Sequence, residues 1–174
     1  SSQLTGVHCV TGCVATAMAQ VIAYHRYPSQ TIQEIPTYNT RSANLQVDAI
    51  PVTSIDWDQM MPNYFNNTTE TQKDAISTLM QICGSSLQMD YTPYNSGAYS
   101  VSVAQALKRY FGYSSTTRNV KRNDYTAEEW DRLIYAELLG GRPVIYGGTS
   151  SAGGHEFVID GYDGNGYFHV NWDD

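Results

Sequence analysis

The segment HEFVIDGYDGNGYFHVNW, residues 155–172, decides the fold class because it consists of two short β-rich runs separated by a turn. The turn residues Asp-Gly-Asn-Gly favour a tight connection between neighbouring antiparallel strands. A third β-rich run, PVIYGG, lies just before this segment at residues 143–148. The C-terminal part of the chain is therefore predicted to be an antiparallel sheet.

Apolar residues repeat at helical spacing in the preceding part of the chain, which predicts four helices. The first runs from about Cys13 to Arg26, the second covers 70–84 with Gly84 as its stop, and the third covers 100–113 and ends near Gly112. The fourth is predicted from a capping box of Thr126 and Glu129, and Gly140-Gly141 closes it. Residues 29–69 are rich in Thr, Asn, Ser and Pro, which predicts long loops and a small hairpin. The expected architecture is α+β, with early helices packed on a late sheet.

The size and charge of the chain restrict its class of partner. Its 174 residues fit one domain, 1–174, and no run of eighteen apolar residues could span a bilayer. The 10 Lys+Arg and 17 Asp+Glu give a net charge of −7, the wrong sign for neutralising phosphates or anionic lipid. We therefore expect neither nucleic acid nor a membrane as partner.

Cysteine is the first candidate for chemistry. Cys9, Cys13 and Cys83 fit no zinc or redox spacing and allow at most one internal disulfide. Cys13 follows Gly12 at the predicted start of a helix, where the positive end of the helix dipole favours a thiolate. Free cysteines are also among the most buried residues, so a packing role for Cys13 remains open at this point.

A nucleophilic cysteine needs a base, and the chain has four histidines: His8, His25, His155 and His169. His8 precedes the first helix, and His25 lies about three turns beyond Cys13, so both are poorly placed. His155 follows two glycines that allow close approach of a substrate backbone, whereas His169 lies inside a predicted strand. His155 is therefore the favoured base.

The base in turn needs a partner that orients its ring. Asn171 lies sixteen residues beyond His155, on the returning arm of the predicted hairpin. Trp172 beside it could shield a His-Asn hydrogen bond from water, although tryptophan is also an ordinary core residue.

The order Cys, His, Asn and the wording of four motifs carry a resemblance to a known family. TGCVATAMAQ, MDYTP, GGHEFVIDG and HVNW resemble the streptopain/interpain-like family of papain-fold cysteine peptidases, which are secreted by bacteria. The resemblance runs from about Val10 to Trp172. It implies a papain-like fold in which Cys13 is the nucleophile, His155 the base and acid, and Asn171 the orienting residue.

The resemblance also implies where substrate binds and what the partners are. Gly154 and Trp172 would lie beside the substrate groove, together with the segment around Ser96 and Gly97. Tyr94 and Tyr99, on either side of that segment, are further candidates. Family members are secreted zymogens, some of them virulence factors, that act on proteins or peptides, and the propeptide is a possible second partner. No metal or organic cofactor is implied, and the turn DGYDGNG lacks the spacing of a calcium loop.

Three departures from the family pattern keep two rival functions open. The family has a glutamine in an upstream Trp-Asn-Gln-Gly stretch that completes the oxyanion hole, and it continues beyond Asn-Trp with more sheet. We expect this chain to lack both pieces, and losing an oxyanion donor typically costs about 10² to 10³ in rate. Glu156 also stands where the family usually has a small residue. The rivals are a transglutaminase-type acyl transferase with the same triad and a non-catalytic binding module.

Overall fold

The computed structural model describes residues 3–4, 7–8, 12–60, 69–91, 96–97, 101–150, 153–162 and 168–171. This part of the chain contains four α-helices: α1 (Cys13–His25), α2 (Glu70–Ser86), α3 (Val101–Phe111) and α4 (Ala127–Leu139). It also contains nine β-strands: β1 (Gln3–Leu4), β2 (Val7–His8), β3 (Tyr38–Asn39), β4 (Gln46–Val47), β5 (Asp90–Tyr91), β6 (Ser96–Gly97), β7 (Val144–Ser150), β8 (Gly153–Tyr162) and β9 (Phe168–Asn171). Short 3₁₀ turns cover Trp57–Gln59 and Arg122–Asp124. The predicted α+β class is confirmed.

Helix α1 begins where it was predicted and ends one residue earlier. Arg26 adopts the left-handed conformation, with φ of 48°, and its N–H bonds to the carbonyl of Ala23, which closes the helix. The apolar residues that predicted the helix are buried: Val14, Ala17, Met18, Val21 and Ile22.

Helix α2 corrects one prediction, because it passes through Gly84 and ends at Ser86. A Cβ at Gly84 would clash with the hydroxyl of Tyr91, which lies against the helix backbone there. Gly84 is therefore a contact glycine inside the helix and not its stop. Thr69 and Gln72 form a capping box at the start of α2 that the sequence reasoning missed.

Helices α3 and α4 confirm their predictions. Helix α3 ends at Phe111, and Gly112 follows with φ of 69°. Helix α4 has the predicted capping box, in which the Thr126 hydroxyl accepts from the Glu129 N–H and the Glu129 carboxylate accepts from the Thr126 N–H. Gly141, with φ of 72°, follows the predicted end.

The predicted C-terminal sheet is present, with strand order β7-β8-β9 and antiparallel pairing throughout. Gly148 pairs with His155 and Ile145 with Val158 across β7 and β8. Across β8 and β9 the register shifts between Ile159 and Gly161, which places an irregularity there. The predicted turn at 163–166 lies outside the described residues.

The predicted hairpin in the loop region is β3 paired with β4. Two further pairs of very short strands, β1 with β2 and β5 with β6, were not predicted. Two residues per strand is too short for a period-2 pattern to be recognised in the sequence.

The core has two parts. The larger cluster joins α1, α2 and α3 around Met18, Ile82 and Phe111, with Ile35 from the loop region. The Tyr38 hydroxyl donates to the Met89 carbonyl at 2.7 Å, which ties the β3 hairpin to the segment after α2. A small second cluster joins α1 to the sheet and consists of Ala17, Val21 and Val158, with Ile145 packed against it. No helix in the described ranges is long and apolar enough to cross a membrane.

Candidate active site

Cys13 is the first residue of α1, and neither the N-cap residue nor the first turn supplies a side chain that offsets the positive end of this helix. Gly12 is the N-cap, with no side-chain capping hydrogen bond, and the first turn contains no acidic residue. Helices α2 and α4, by contrast, both begin with a capping box and an acidic first turn. A helix start of this kind favours a negative charge, such as a thiolate or an oxyanion, at this end of the helix.

His155 lies near the start of β8, two residues after the first residue of that strand. Its backbone pairs with Gly148 of β7, and Gly154 pairs with Thr149. Glu156 follows, paired with Gly147. Glycine on the neighbouring strand leaves room beside the His155 position because it has no side chain.

Asn171 lies on β9, the strand next to the one that carries His155. Its backbone pairs with Val158, three residues beyond His155. Three residues along a strand correspond to about 10 Å and one strand spacing to about 5 Å. The two positions therefore lie on adjacent strands, about 11 Å apart along the diagonal.

The small apolar cluster joins the helix of Cys13 to the strand of His155. Ala17 and Val158 are 2% and 3% exposed and belong to one packed group, which joins α1 to β8. Cys13 lies four residues before Ala17, which is one helix turn or about 6 Å along the same face. His155 lies three residues before Val158, and Asn171 lies opposite it. The helix that begins with Cys13 thus packs on the strand that carries His155.

The other histidines have different surroundings. His25 is the last residue of α1, about 18 Å along the axis from Cys13, and its ring contacts Tyr24 and Tyr113. Burial, and to a lesser degree the charge of Arg142, lowers the pKa of His25. His169 lies in β9 and pairs with Gly161 of β8. His8 lies in β2 and pairs with Gln3 of β1. The distance along α1 excludes His25 as the base for Cys13.

The predicted substrate-binding residues are placed only in part. Ser96 and Gly97 form β6 and pair with Tyr91 and Asp90. Tyr94, Tyr99 and Trp172 lie outside the described residues, as does Cys9.

The predicted absence of a cofactor stays a prediction. In the described ranges, no group of three His, Cys, Asp or Glu side chains could hold a metal ion. The turn residues Asp163 and Asn165 lie outside those ranges.

The arrangement of helices and sheet around a helix-terminal cysteine defines a papain-like protein. Interpain A from Prevotella intermedia, solved as the active wild-type cysteine protease, matches with a TM-score of 0.85 and 38% identity over 95% of this chain and 71% of that one. A prointerpain A fragment from the same organism, in a cysteine-to-alanine mutant, gives a TM-score of 0.86 and 37% identity over 98% of this chain and 55% of that one. The predicted papain-like fold is confirmed.

Sequence comparison agrees with the fold. The model of the peptidase C10 family matches residues 1–173. Streptopain of Streptococcus pyogenes is 40% identical over 174 residues, which cover 96% of this chain and 44% of that protein. The thiol protease/hemagglutinin PrtT of Porphyromonas gingivalis is 32% identical over 97% of this chain and 20% of its own length. The chain therefore belongs to the peptidase C10 family, and it spans less than half the length of these two relatives.

The family comparison confirms the predicted resemblance. The relatives named above come from bacteria. Sequence reasoning missed one feature of the surface, a groove lined by basic side chains beside α3. The sequence does contain a stretch without acidic residues at 91–123, but the negative net charge of the whole chain drew attention away from this local positive charge.

Proposed function

We propose that the chain is the catalytic part of a cysteine endopeptidase in which Cys13, His155 and Asn171 form the reactive site. One observation supports the proposal: α1, which begins with Cys13, packs through Ala17 and Val21 on β8, the strand of His155, and β9 with Asn171 pairs with β8. This is the order of roles that a nucleophile, its base and an orienting group require.

The first half of the reaction is acylation. The Cys13 thiolate attacks the carbonyl carbon of the scissile peptide, and a C–S bond forms while the carbonyl oxygen becomes an oxyanion. The backbone N–H of Cys13, which has no acceptor within the helix, donates to that oxyanion. The C–N bond then breaks, and the His155 imidazolium gives its proton to the leaving amine.

The second half is hydrolysis of the thioester. Neutral His155 removes a proton from water as the water oxygen attacks the acyl carbon, and the C–S bond breaks to regenerate the thiolate and imidazolium pair. The Asn171 side-chain oxygen accepts from the other ring N–H of His155 and keeps the ring aimed at Cys13.

The biological setting follows from the family. We infer that the substrates are proteins or peptides, that the protein is secreted by a bacterium, and that a propeptide restrains it before activation. The solved pro-form of interpain A supports the last point.

The test is peptide hydrolysis by the chain and two cysteine variants. Cys13→Ala should reduce hydrolysis of an unlabelled casein digest to background, whereas Cys83→Ala should keep it, because a buried free cysteine acts as a small apolar residue. Thermal unfolding of each variant checks that it is folded. Activity that survives Cys13→Ala would contradict the proposal, and absence of activity in every folded sample would favour the non-catalytic alternative.

An added amine separates hydrolysis from acyl transfer. In 20 mM methylamine, mass spectrometry of the products should show free carboxylic acids at the cleavage sites. Predominant methylamides on glutamine side chains without chain cleavage would instead establish the transglutaminase-type reaction.

A further inference from the structure

The basic residues are distributed unevenly along the chain. Residues 91–123 contain no Asp or Glu. They contain five of the ten basic side chains: Lys108, Arg109, Arg118, Lys121 and Arg122. Because the whole chain carries −7 and this stretch carries +5, all the other residues together carry −12. A local positive region therefore stands on an otherwise acidic protein.

Part of this region forms a groove of about 610 Å³ between α3 and the loop that follows it. Its walls in the described part of the chain are Ala104, Gln105, Lys108, Arg109, Arg118 and Asn119. The three cations are exposed to solvent. The groove thus offers three positive charges and two side-chain amides, with no carboxylate among the residues named.

Within the described residues, the groove cations also lack carboxylate partners. The ion pairs within the described ranges are Glu70 with Lys73, Glu128 with Arg132 and Glu137 with Arg142. Lys108, Arg109 and Arg118 have no carboxylate within ion-pairing distance there. Three like charges around one groove repel each other, and an anionic ligand would relieve that repulsion.

We propose that this groove binds a short acidic segment of a polypeptide, and that it serves the peptidase as a docking site for acidic segments of its substrates. The second half of this statement rests on the proposed function. The two amides, Gln105 and Asn119, can each donate and accept hydrogen bonds, as recognition of an extended peptide backbone requires.

Two physical arguments favour an acidic peptide over nucleic acid. At physiological salt the Debye length is about 8 Å, so a short segment feels mainly the groove, whereas a long polyanion would also cross the acidic surroundings. Single-stranded nucleic acids bind largely by stacking on aromatic rings, and no aromatic side chain is among the described walls of the groove.

The groove lies close in the chain to the segment predicted to bind substrate, which limits the distance between them. Helix α3 starts four residues after Gly97, so Ala104 lies within about 20 Å of the segment predicted to bind substrate. An extended peptide covers about 3.3 Å per residue. If a substrate peptide binds at Ser96 and Gly97, its acidic residues within about six positions of the bound ones could therefore reach the groove.

Direct binding is the first test, with the full chain carrying Cys13→Ala so that the probes stay intact. The probes are two fluorescein-labelled peptides, Gly-Ser-Glu₆-Gly-Ser and Gly-Ser-Gln₆-Gly-Ser, measured by fluorescence anisotropy at 50 and 200 mM NaCl. The Glu₆ peptide should bind more tightly and weaken with salt. Lys108→Gln/Arg109→Gln, and separately Arg118→Gln, should weaken it by about five-fold or more.

The matched control is Lys73→Gln/Arg132→Gln, which removes the same net charge from exposed positions outside the groove. It should change binding of the Glu₆ peptide less than about two-fold, because both substituted side chains lie outside the groove and exposed ion pairs contribute little free energy. Equal binding of both peptides, or equal weakening by the control, would overturn the docking site. If a dT₆ oligonucleotide binds more tightly than the Glu₆ peptide, the proposed acidic peptide is wrong and nucleic acid is the favoured partner.

Cleavage is the second test and separates this inference from the proposed function. The substrates share one cleavable sequence and carry either a Glu₆ or a Gln₆ tag six residues away from it. Each tag is placed N-terminal to the cleavage site in one pair of substrates and C-terminal to it in a second pair. The active chain should prefer the Glu₆ substrate in kcat/KM on one side, and Lys108→Gln/Arg109→Gln should abolish the preference without changing turnover of the Gln₆ substrate. Activity without preference would refute docking alone, whereas selective Glu₆ binding without any cleavage would refute the peptidase function alone.

Discussion

At the scale of single residues, Cys13 and Cys83 occupy different places in the fold. Cys83 is fully buried in the core between α1, α2 and α3, and burial raises the pKa of its thiol. Cys13 begins α1 at an uncapped end. Because the thiolate is the reactive form, the same side chain is expected to be inert in one place and nucleophilic in the other.

We predict that Cys83 does not react with iodoacetamide in the folded protein at pH 8. Its thiol is 0% exposed and its raised pKa keeps it protonated. Peptide mapping by mass spectrometry after one hour should show unmodified Cys83, and labelling in 8 M urea provides the positive control. Rapid native labelling would mean that α2 opens far more readily than its packing suggests.

We predict that the reactivity of Cys13 at pH 5 to 6 depends on His155 and not on His169. A free thiol has a pKa of about 8.5, so a thiolate at this pH requires a neighbouring imidazolium. Labelling of Cys13 with iodoacetamide should be fast in the parent and in His169→Ala, and should collapse in His155→Ala. In Asn171→Ala the fall should be smaller, because the charge pair survives and only the ring orientation loosens.

The measurement is a rate-versus-pH profile at Cys13 for the four proteins, each checked for folding. Parent-like labelling of His155→Ala together with a loss in His169→Ala would show that the base is misassigned. If neither change matters, Cys13 is not half of a catalytic pair.

At the scale of secondary structure, the end of α2 shows how a tertiary contact overrides a local signal. Glycine is the commonest residue just beyond a helix, and replacing it inside a helix by alanine usually gains about 1 kcal/mol. Here the hydroxyl of Tyr91 lies against Gly84, and Tyr91 is only 7% exposed and cannot swing into solvent. The contact therefore decides which residue is tolerated.

We predict that Gly84→Ala destabilises the fold by about 1–3 kcal/mol, because overpacking outweighs the gain in helix propensity. Urea unfolding measures the change. Gly140→Ala is the matched control, since its Cβ would meet only the exposed end of the Arg142 side chain, which can move. It should stay within about 0.5 kcal/mol of the parent.

A double-mutant cycle identifies the cause. Tyr91→Phe removes the atom nearest to Gly84, so Gly84→Ala should cost clearly less in the Tyr91→Phe background than in the parent. The same cost in both backgrounds would place the strain elsewhere.

At the scale of the whole molecule, the proposed chemistry depends on how α1 packs against the sheet. Ala17 and Val21 from α1 pack on Val158 of β8, while Asn171 pairs with Val158 from β9. Loosening this contact would let the helix that carries Cys13 shift relative to the strands that carry the other two residues. A shift of about 1 Å can cost about 10²-fold in rate.

We predict that Val158→Ala lowers both stability and turnover. The lost packing should cost about 1–3 kcal/mol, and kcat should fall at a temperature where the variant is still folded. Val103→Ala is the matched control, because Val103 is buried equally well in α3 but belongs to the larger cluster, away from the helix-sheet contact. It should lose similar stability with kcat unchanged; an equal loss of kcat in both would show a general loss of rigidity.

Much of the fold could be predicted because local physics and tertiary packing agree. The Thr126 and Glu129 capping box, the helical spacing of α1 and the β-rich runs of β7, β8 and β9 all act over a few residues, and the structure keeps each of them. The candidate site could be predicted as a set of residue types in order, because nucleophile, base and orienting group are distinct side chains. The strand pairs β1-β2 and β5-β6 could not, since two residues per strand are too few to show a period.

The sequence by itself determined the α+β class, the family and the identities of Cys13, His155 and Asn171 as candidates. Only the tertiary structure decided that α2 continues past Gly84 and that Val158 couples α1 to the strand of His155. It also gathered Lys108, Arg109 and Arg118 into one groove on a negatively charged chain. The physical reason is that these features depend on contacts between residues distant along the chain, and such contacts exist only once the elements have packed.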